Sequence, residues 1–405
     1  RARARPLAVA LGFAFAAAAF MTGRRALAVV LVAAALRLAL LALCDREAAD
    51  VLRYRKVADH VLDVSWNPYQ APRLHPYPPV WFLWEAASGW LARHAALPFA
   101  VVVKLPQVLA ELALVAFLAQ GALAWPGEGK LDAAAAWAYA LHPVSLLVTG
   151  AHGQFDALPM LFVMLALSWS AQQRHDASAL ALSAAVALKS FPVLLLPLFL
   201  LARGRAGALR YLLLCLGPLA LLLLPFALHD PGALWRELPG YGGVADFGWI
   251  GAWRGLVWLR TGVLPRAEAA VWGGLLLLSK LLFLAAYAAL LAAYARGRLR
   301  LGLGEAALAV LLAFLVGYGA LSAQYLLWVV PLGLARLDRE FWVYAVLATL
   351  ALVGFYPFLA PGVLFPRGAM AGRAAFGALW VVGTASVLLA SAVWLVATLR
   401  RGSRA

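Results

Sequence analysis

Long apolar runs alternate with short polar, Gly- and Pro-containing breaks along almost the whole chain. A helical span needs about 20 mostly apolar residues. Runs of that kind occupy 26–44, 101–125, 131–149, 154–172, 208–228, 268–295, 304–320, 341–358 and 374–399. Three runs fall short: 7–20, 79–92 and 323–335, the last of which holds Pro331. The run 177–202 is long enough but carries Lys189 and Pro192, a pattern that predicts two half-helices. Residues 50–63 differ from all of these. There Val51, Tyr54, Val57, Ala58, Val61 and Leu62 recur at helical spacing among charges, which predicts an amphipathic helix at the membrane interface. Asp50 stands at its start, where a carboxylate suits the helix dipole, and Tyr54 lies one turn on, on the same face.

Composition strengthens this picture. Of 405 residues, 65% are hydrophobic and 13% charged, against about 45–50% apolar and about 25% charged in soluble domains. That excludes a soluble domain, and the apolar content excludes a disordered chain. Lys and Arg outnumber Asp and Glu by 34 to 18. Such an excess would suit nucleic acid, but here it falls in short clusters between apolar runs. Cys44 and Cys215 both lie in apolar stretches and supply neither a disulfide framework nor a metal cluster. The chain reads as one polytopic, all-α membrane domain over 1–405.

Lys and Arg concentrate in short cytoplasmic loops. The acid-free clusters Arg203/Arg205/Arg210, Arg296/Arg298/Arg300 and Arg400/Arg401/Arg404 are therefore expected inside, with Arg24 and Arg25. This holds together only if 79–92 does not cross and 177–202 turns back at its break. Segments 45–100, 150–156, 229–267, 320–324 and 359–373 are then expected outside. The chain starts at Arg1, which leaves room for a truncated or processed first run, but no small-residue cleavage site stands out, and the run 7–20 reads as an extra anchor or a re-entrant helix.

Polar residues collect in five places. The first loop region, 45–100, holds Asp50, Asn67-Pro68-Tyr69 and Tyr77-Pro78-Pro79; a capped surface helix and a Pro-rich loop would read the same way. His142-Pro143 ends a span, and between it and the next stand His152, Gln154 and Asp156, denser than capping requires. Lys189-Ser190-Phe191-Pro192 puts an ammonium deep in an apolar run, which marks a pathway or an anionic partner unless the lysine snorkels. In Ser322 to Pro331, Tyr325 and Trp328 fit an interfacial belt and only Gln324 exceeds it. The loop 229–267, with Gly240-Tyr241-Gly242-Gly243, Asp246 and Trp249, suits a mobile flap or a loop packed on the interface. Arg37, Lys104, Glu111 and Lys280 lie in spans and can pair with one another.

In order, these elements resemble the GT-C glycosyltransferases, especially the GPI mannosyltransferase I catalytic subunit and its bacterial polyprenyl-phosphate mannosyltransferase-like relatives. The likeness rests on Asp50 with Tyr54, Pro68-Tyr69, Tyr77-x-Pro79, His142-Pro143, His152 to Asp156, Lys189 to Pro192, and Ser322 to Pro331. Two positions depart from it. Ala48 replaces the first carboxylate of a D-x-D, with Asp45-x-Glu47 slightly earlier, and Pro76 replaces an Arg before the second Tyr, leaving Arg73 and His75 as substitutes.

The resemblance implies a bundle of about 10–13 transmembrane helices and, at the extracytoplasmic face of a cell membrane, transfer of a hexose, mannose foremost. The donor would be a polyprenyl-phosphate sugar, the acceptor a lipid, glycan or protein, and the outcome inversion. Asp50 is the expected base, with Asp45, Glu47 and Asp156 behind it. Lys189, Arg73 and His75 would meet the phosphate. Tyr54, Tyr77, His152, Gln154, Asp156, Gln324 and Tyr325 would bind substrate. No cofactor is required, though a divalent metal is compatible. The rival readings are a transporter or lipid flippase, which would also use broken helices, and a structural membrane subunit.

Overall fold

The computed structural model describes residues 23–127, 129, 131–239, 243–364 and 372–404. The run 7–20 and Gly240-Tyr241-Gly242 lie outside them. Among the described residues the regular elements are all helices, joined by turns and irregular segments, with two isolated bridges, Val244 to Glu268 and Phe247 to Leu321. In chain order the helices are α1 (Arg24–Leu43), α2 (Asp50–Asp63), α3 (Pro79–His94) and α4 (Phe99–Ala119). Then come α5 (Ala133–Ala140), α6 (Pro143–His152), α7 (Ala157–Ala171), α8 (His175–Leu188), α9 (Phe191–Leu201) and α10 (Arg205–His229). The remainder are α11 (Pro231–Glu237), α12 (Gly248–Thr261), α13 (Gly273–Ala295), α14 (Leu303–Gly317), α15 (Ala323–Gly333), α16 (Arg339–Leu359) and α17 (Arg373–Arg404).

Six of the described helices, α1, α4, α10, α13, α16 and α17, are long and apolar enough to cross a bilayer. The pair α5–α6, bent by 42° at Leu141-His142, makes a seventh if it counts as one span. This is an all-α, multi-pass membrane protein. Four expected spans come out differently. The run 131–149 is broken midway, because Pro143 cannot continue the helix hydrogen bonding, so His142-Pro143 interrupts a span rather than ending it. α7 and α14 have 15 residues each, a rise of about 22 Å against a hydrocarbon core of about 30 Å. Both are largely buried by neighbouring helices. The run 101–125 stops being helical at Ala119.

Aspartates fix several helix starts by accepting the orphan N–H groups of the first turn. Asp132 takes Ala134 and Ala135, Asp230 takes Ala233, and Asp338 takes Phe341. Chain reversals follow the charged breaks. After Lys189 the chain returns along α9, and Arg203 bonds Ser170 Oγ at 3.1 Å and His175 Nδ1 at 3.2 Å. Both arms of the 177–202 run therefore reach one end of the bundle. α14 and α15 form a similar pair, closed by Arg336 Nε on Glu305 Oε1 at 2.6 Å. Arg300 N–H meets the Gly402 carbonyl at 2.8 Å and Arg401 lies 3.2 Å from Asp338, so the arginine clusters share that end.

α2 and α3 stack against each other beyond the opposite end of α1. A Cβ on Gly89 would stand 2.9 Å from that of Ala58, and Arg93 bridges Asp59 and Asp63 at 2.6–2.7 Å. α2 buries Val51, Tyr54, Val57 and Ala58, while Leu62, counted on the apolar stripe, is exposed. Inside the bundle Arg37 pairs with Glu111 at 2.5 Å, and Ser145 Oγ donates to the same carboxylate at 2.7 Å. Arg37 also reaches the Ala140 carbonyl at 2.9 Å, just before the break in α5–α6. α10 and α13 instead expose rows of leucine (Leu213, Leu221 and Leu224; Leu277, Leu281 and Leu284), the pattern of lipid-facing helices.

Candidate functional site

The site forms where α6 unwinds. Residues 146–152 take a widened helical turn that ends at Gly153 with φ +85°. A Cβ there would meet Lys104 Cε at 2.5 Å, so both the backbone and the space require glycine. Lys104 Nζ donates to the carbonyls of Cys44 (2.8 Å) and Ala151 (2.9 Å), and Gln107 donates to that of Gly153 (3.0 Å). The ends of α1, α4 and α6 are thus tied together, and His152, Gln154 and Asp156 are turned inward.

Asp50 comes to meet them from the start of α2. Gln154 Nε2 donates to Asp50 Oδ2, and His152 Nε2 lies 3.1 Å from the same oxygen. Tyr54 Oη donates to Gln154 Oε1 at 3.2 Å, and Tyr356 Oη stands 3.3 Å from His152 Nδ1. The Asp50 side chain keeps 30% exposure, so it is held without being sealed. Burial pushes its pKa up, but the His152 hydrogen bond and charge, with Arg53 and Lys189, outweigh burial and hold the carboxyl below its ordinary range. Asp50 is an ionised, oriented acceptor.

Asp156 has another partner. It starts α7 without capping it. Its carboxylate instead takes Lys189 Nζ at 2.7 Å and Trp328 Nε1 at 2.5 Å. Lys189 sits at the break between α8 and α9, with Phe155 at 4.8 Å, Tyr77 at 5.2 Å and Tyr325 at 5.9 Å from its ammonium. From there a groove of about 390 Å³ runs along Tyr77, Phe191, Phe314, Tyr325 and Trp328 to the lipid-facing helix α13. Its wall there carries Lys280 and Leu284. One end of the groove is thus cationic and aromatic, and its flank is apolar.

Asp50, Tyr54, Tyr77, His152, Gln154, Asp156, Lys189 and Tyr325 are brought together. Gln324 is buried at the turn into α15. Arg73 and His75 are not part of the cluster. Arg73 is exposed, in a left-handed backbone conformation (φ +60°), and its main chain is what bonds: N–H to Glu237 and C=O to Arg53. His75 is buried 3.4 Å from Glu85 and packs behind Tyr77. Glu47 is held by Arg55 at 3.0–3.1 Å. Of the expected pairings inside spans, Arg37–Glu111 forms, while Lys104 binds carbonyls and Lys280 lines the groove. Among the described residues no three His, Cys, Asp or Glu side chains converge as a metal-holding group.

Three participants were not foreseen. Trp328, read as a belt residue, fixes Asp156, and Tyr356 backs His152. The third is Asp246. Within the 229–267 segment, residues 244–247 are bridged to Glu268 and Leu321 and backed by Trp380. This brings the Asp246 carboxyl within electrostatic reach of Asp50 and His152. Burial pushes that carboxyl up to about 6, with Arg254 pulling it down and Asp50 adding to the rise. Its sequence signal was only an Asp among Gly and Trp. Neither the protein-family models nor the curated proteins contain a match to this chain.

Proposed function

We propose that the chain is a GT-C-type glycosyltransferase that moves a hexose, mannose foremost, from a polyprenyl-phosphate carrier to an acceptor hydroxyl, with inversion, at the extracytoplasmic face. The observation that carries the reading is Lys189. This one ammonium joins a polar pocket with an ionised carboxylate to an aromatic groove that runs to a lipid-facing helix. A sugar on a lipid phosphate needs that juxtaposition: chain in the groove, phosphate at the lysine, sugar beside the carboxylate.

In the reaction the bond between the anomeric carbon and the phosphate oxygen breaks, and the bonding pair leaves with the phosphate. Lys189, with Lys280 further along the groove, stabilises that charge. The acceptor oxygen bonds to the anomeric carbon from the opposite face, and its proton passes to Asp50. His152, in contact with both Asp50 and Tyr356, offers the onward path. Gln154 and Tyr54 hold Asp50 in place, and Asp156 with Trp328 holds Lys189.

The test is transfer from a labelled polyprenyl-phosphate sugar by the purified protein in lipid nanodiscs, beside Asp50→Asn. Transfer by the parent that falls about 100-fold or more in the variant, with folding retained, is the expected result. Movement of the lipid across the bilayer without any sugar transfer would replace this reading with the flippase one.

A further inference from the structure

A cavity of about 610 Å³ opens at the end of the bundle where the arginine clusters gather, between the α7–α8 turn and the start of α10. Ligand sites commonly enclose about 300–1,000 Å³. Ser170, His175 and Asp176 line one side of it, and Arg203, Gly207 and Arg210 the other. Its charge is one-sided, because segments 169–176 and 202–211 carry Arg174, Arg203, Arg205 and Arg210 against Asp176 alone.

Arg203 is fixed in place without being neutralised. Its guanidinium lies 4.1 Å over the Tyr211 ring and donates to the Phe199 carbonyl and, at 3.1 Å, to Ser170 Oγ, with His175 Nδ1 at 3.2 Å. Tyr211 Oη in turn meets Ser178 Oγ at 3.0 Å. Nε of Arg203 is buried with no partner, and no carboxylate among the described residues pairs with this side chain. A half-buried guanidinium without a counter-charge is costly, and an anion in the cavity would offset that cost. Arg210 meets Asp176 in a pair whose side chains are 70% and 50% exposed, loose enough to give way to a ligand. The approach is open, since a Cβ on Gly207 would meet only that of Arg203, at 3.8 Å. α10 starts here with no side-chain cap and no acidic residue in its first turn, so its dipole adds to the field of the arginines.

The surface beside the cavity selects the anion. Leu209 and Leu213, on the flank of α10 next to Arg210, are 59% and 61% exposed and begin the lipid-facing leucine row of that helix. We propose that the cavity holds the phosphodiester headgroup of an anionic membrane lipid, its phosphate on Arg203 and Arg210 and an acyl chain along Leu209 and Leu213. A soluble phosphate offers the same charge but leaves the leucines uncovered. The site is separate from the Asp50 cluster and does not depend on the reaction carried out there.

The experiment follows thermal unfolding of the delipidated full chain in detergent as phosphatidylglycerol, phosphatidylcholine or glycerol 3-phosphate is added, with retained lipid counted by native mass spectrometry. Phosphatidylglycerol should raise the unfolding temperature saturably, as binding to the native state does, and the other two should not. Arg210→Gln should weaken phosphatidylglycerol about tenfold, and Gly207→Asp, which puts a carboxylate into the cavity, should weaken it further. An acidic residue in the first turn of α10 suits the helix dipole, so Gly207→Asp without lipid should unfold no earlier than the parent. Arg298→Gln removes one charge from an exposed position outside the cavity and should leave the affinity unchanged. Equal responses to phosphatidylcholine and phosphatidylglycerol overturn the proposal, as does an equal loss in Arg298→Gln, because lipid would then be drawn to the whole face. Unchanged affinity in Arg210→Gln overturns it as well. A saturable shift of the same size with glycerol 3-phosphate alone replaces the lipid with a soluble phosphate. If Gly207→Asp does not fold, Arg210→Gln against Arg298→Gln decides.

Discussion

Replacing Lys189 with methionine keeps an apolar stem in place and removes one charge from a pair 2.7 Å apart, whose side chains are 6% and 0% exposed. Removing one member of a buried pair costs about 3–5 kcal/mol, because the other charge is stranded. Asp156 retains the Trp328 indole N–H at 2.5 Å, so the lower figure applies, about 3 kcal/mol, roughly a hundredfold in the folded-to-unfolded ratio. The double variant Lys189→Met/Asp156→Asn has no stranded charge, and its amide oxygen still accepts from Trp328. It should recover to within about 1 kcal/mol of the parent, yet both variants should remain inactive. Denaturant unfolding followed by tryptophan fluorescence in detergent, run beside the transfer assay, reads both quantities. A double variant as unstable as the single one refutes the pairing energetics. Activity that returns together with stability refutes the phosphate role of Lys189 and leaves it a strut.

Other outcomes follow from the same geometry. Gly153→Ala combines a left-handed backbone (φ +85°) with a 2.5 Å approach to Lys104 and should destabilise by about 2 kcal/mol or more; a neutral melting curve would contradict it. Lys280→Gln should leave unfolding unchanged, since no hydrogen bond or ion pair holds this lysine among the described residues, but raise the KM for a polyprenyl-phosphate donor about threefold to tenfold.

The first wall of the site was legible because its chemistry interrupts an apolar pattern. Asp50, His152, Gln154, Asp156 and Lys189 each stand where a span begins, ends or breaks, and a polar side chain there has to find a partner. The second wall was not, because nothing local marks it. Tyr356 sits in an ordinary apolar helix, Trp328 has the look of an interfacial anchor, and Asp246 is brought near only by a backbone hydrogen bond to Leu321, 75 positions on. Arg73 and His75 stand apart from the cluster for the converse reason. Their chemistry suited a phosphate, but the left-handed turn at Arg73 and the buried Glu85 beside His75 turn both away. The short helices α7 and α14 show the same limit, since hydropathy measures apolar length and not where a chain reverses inside its neighbours.

The distribution of the two walls along the chain bears on biogenesis. By residue 189 synthesis has supplied Asp50, His152, Gln154, Asp156 and Lys189, whereas Trp328 and Tyr356 come more than 130 residues later. Until those helices insert, Asp156 and Lys189 can pair with each other, but lipid offers no replacement for the Trp328 indole on Asp156 or the Tyr356 hydroxyl at His152, so the faces of α6 to α9 should stay beside the translocation machinery or a membrane chaperone. The amino-terminal half made alone should therefore be degraded rather than accumulate as a weakly active fragment, and assembly of the site becomes a late, all-or-none event in the life of the nascent chain.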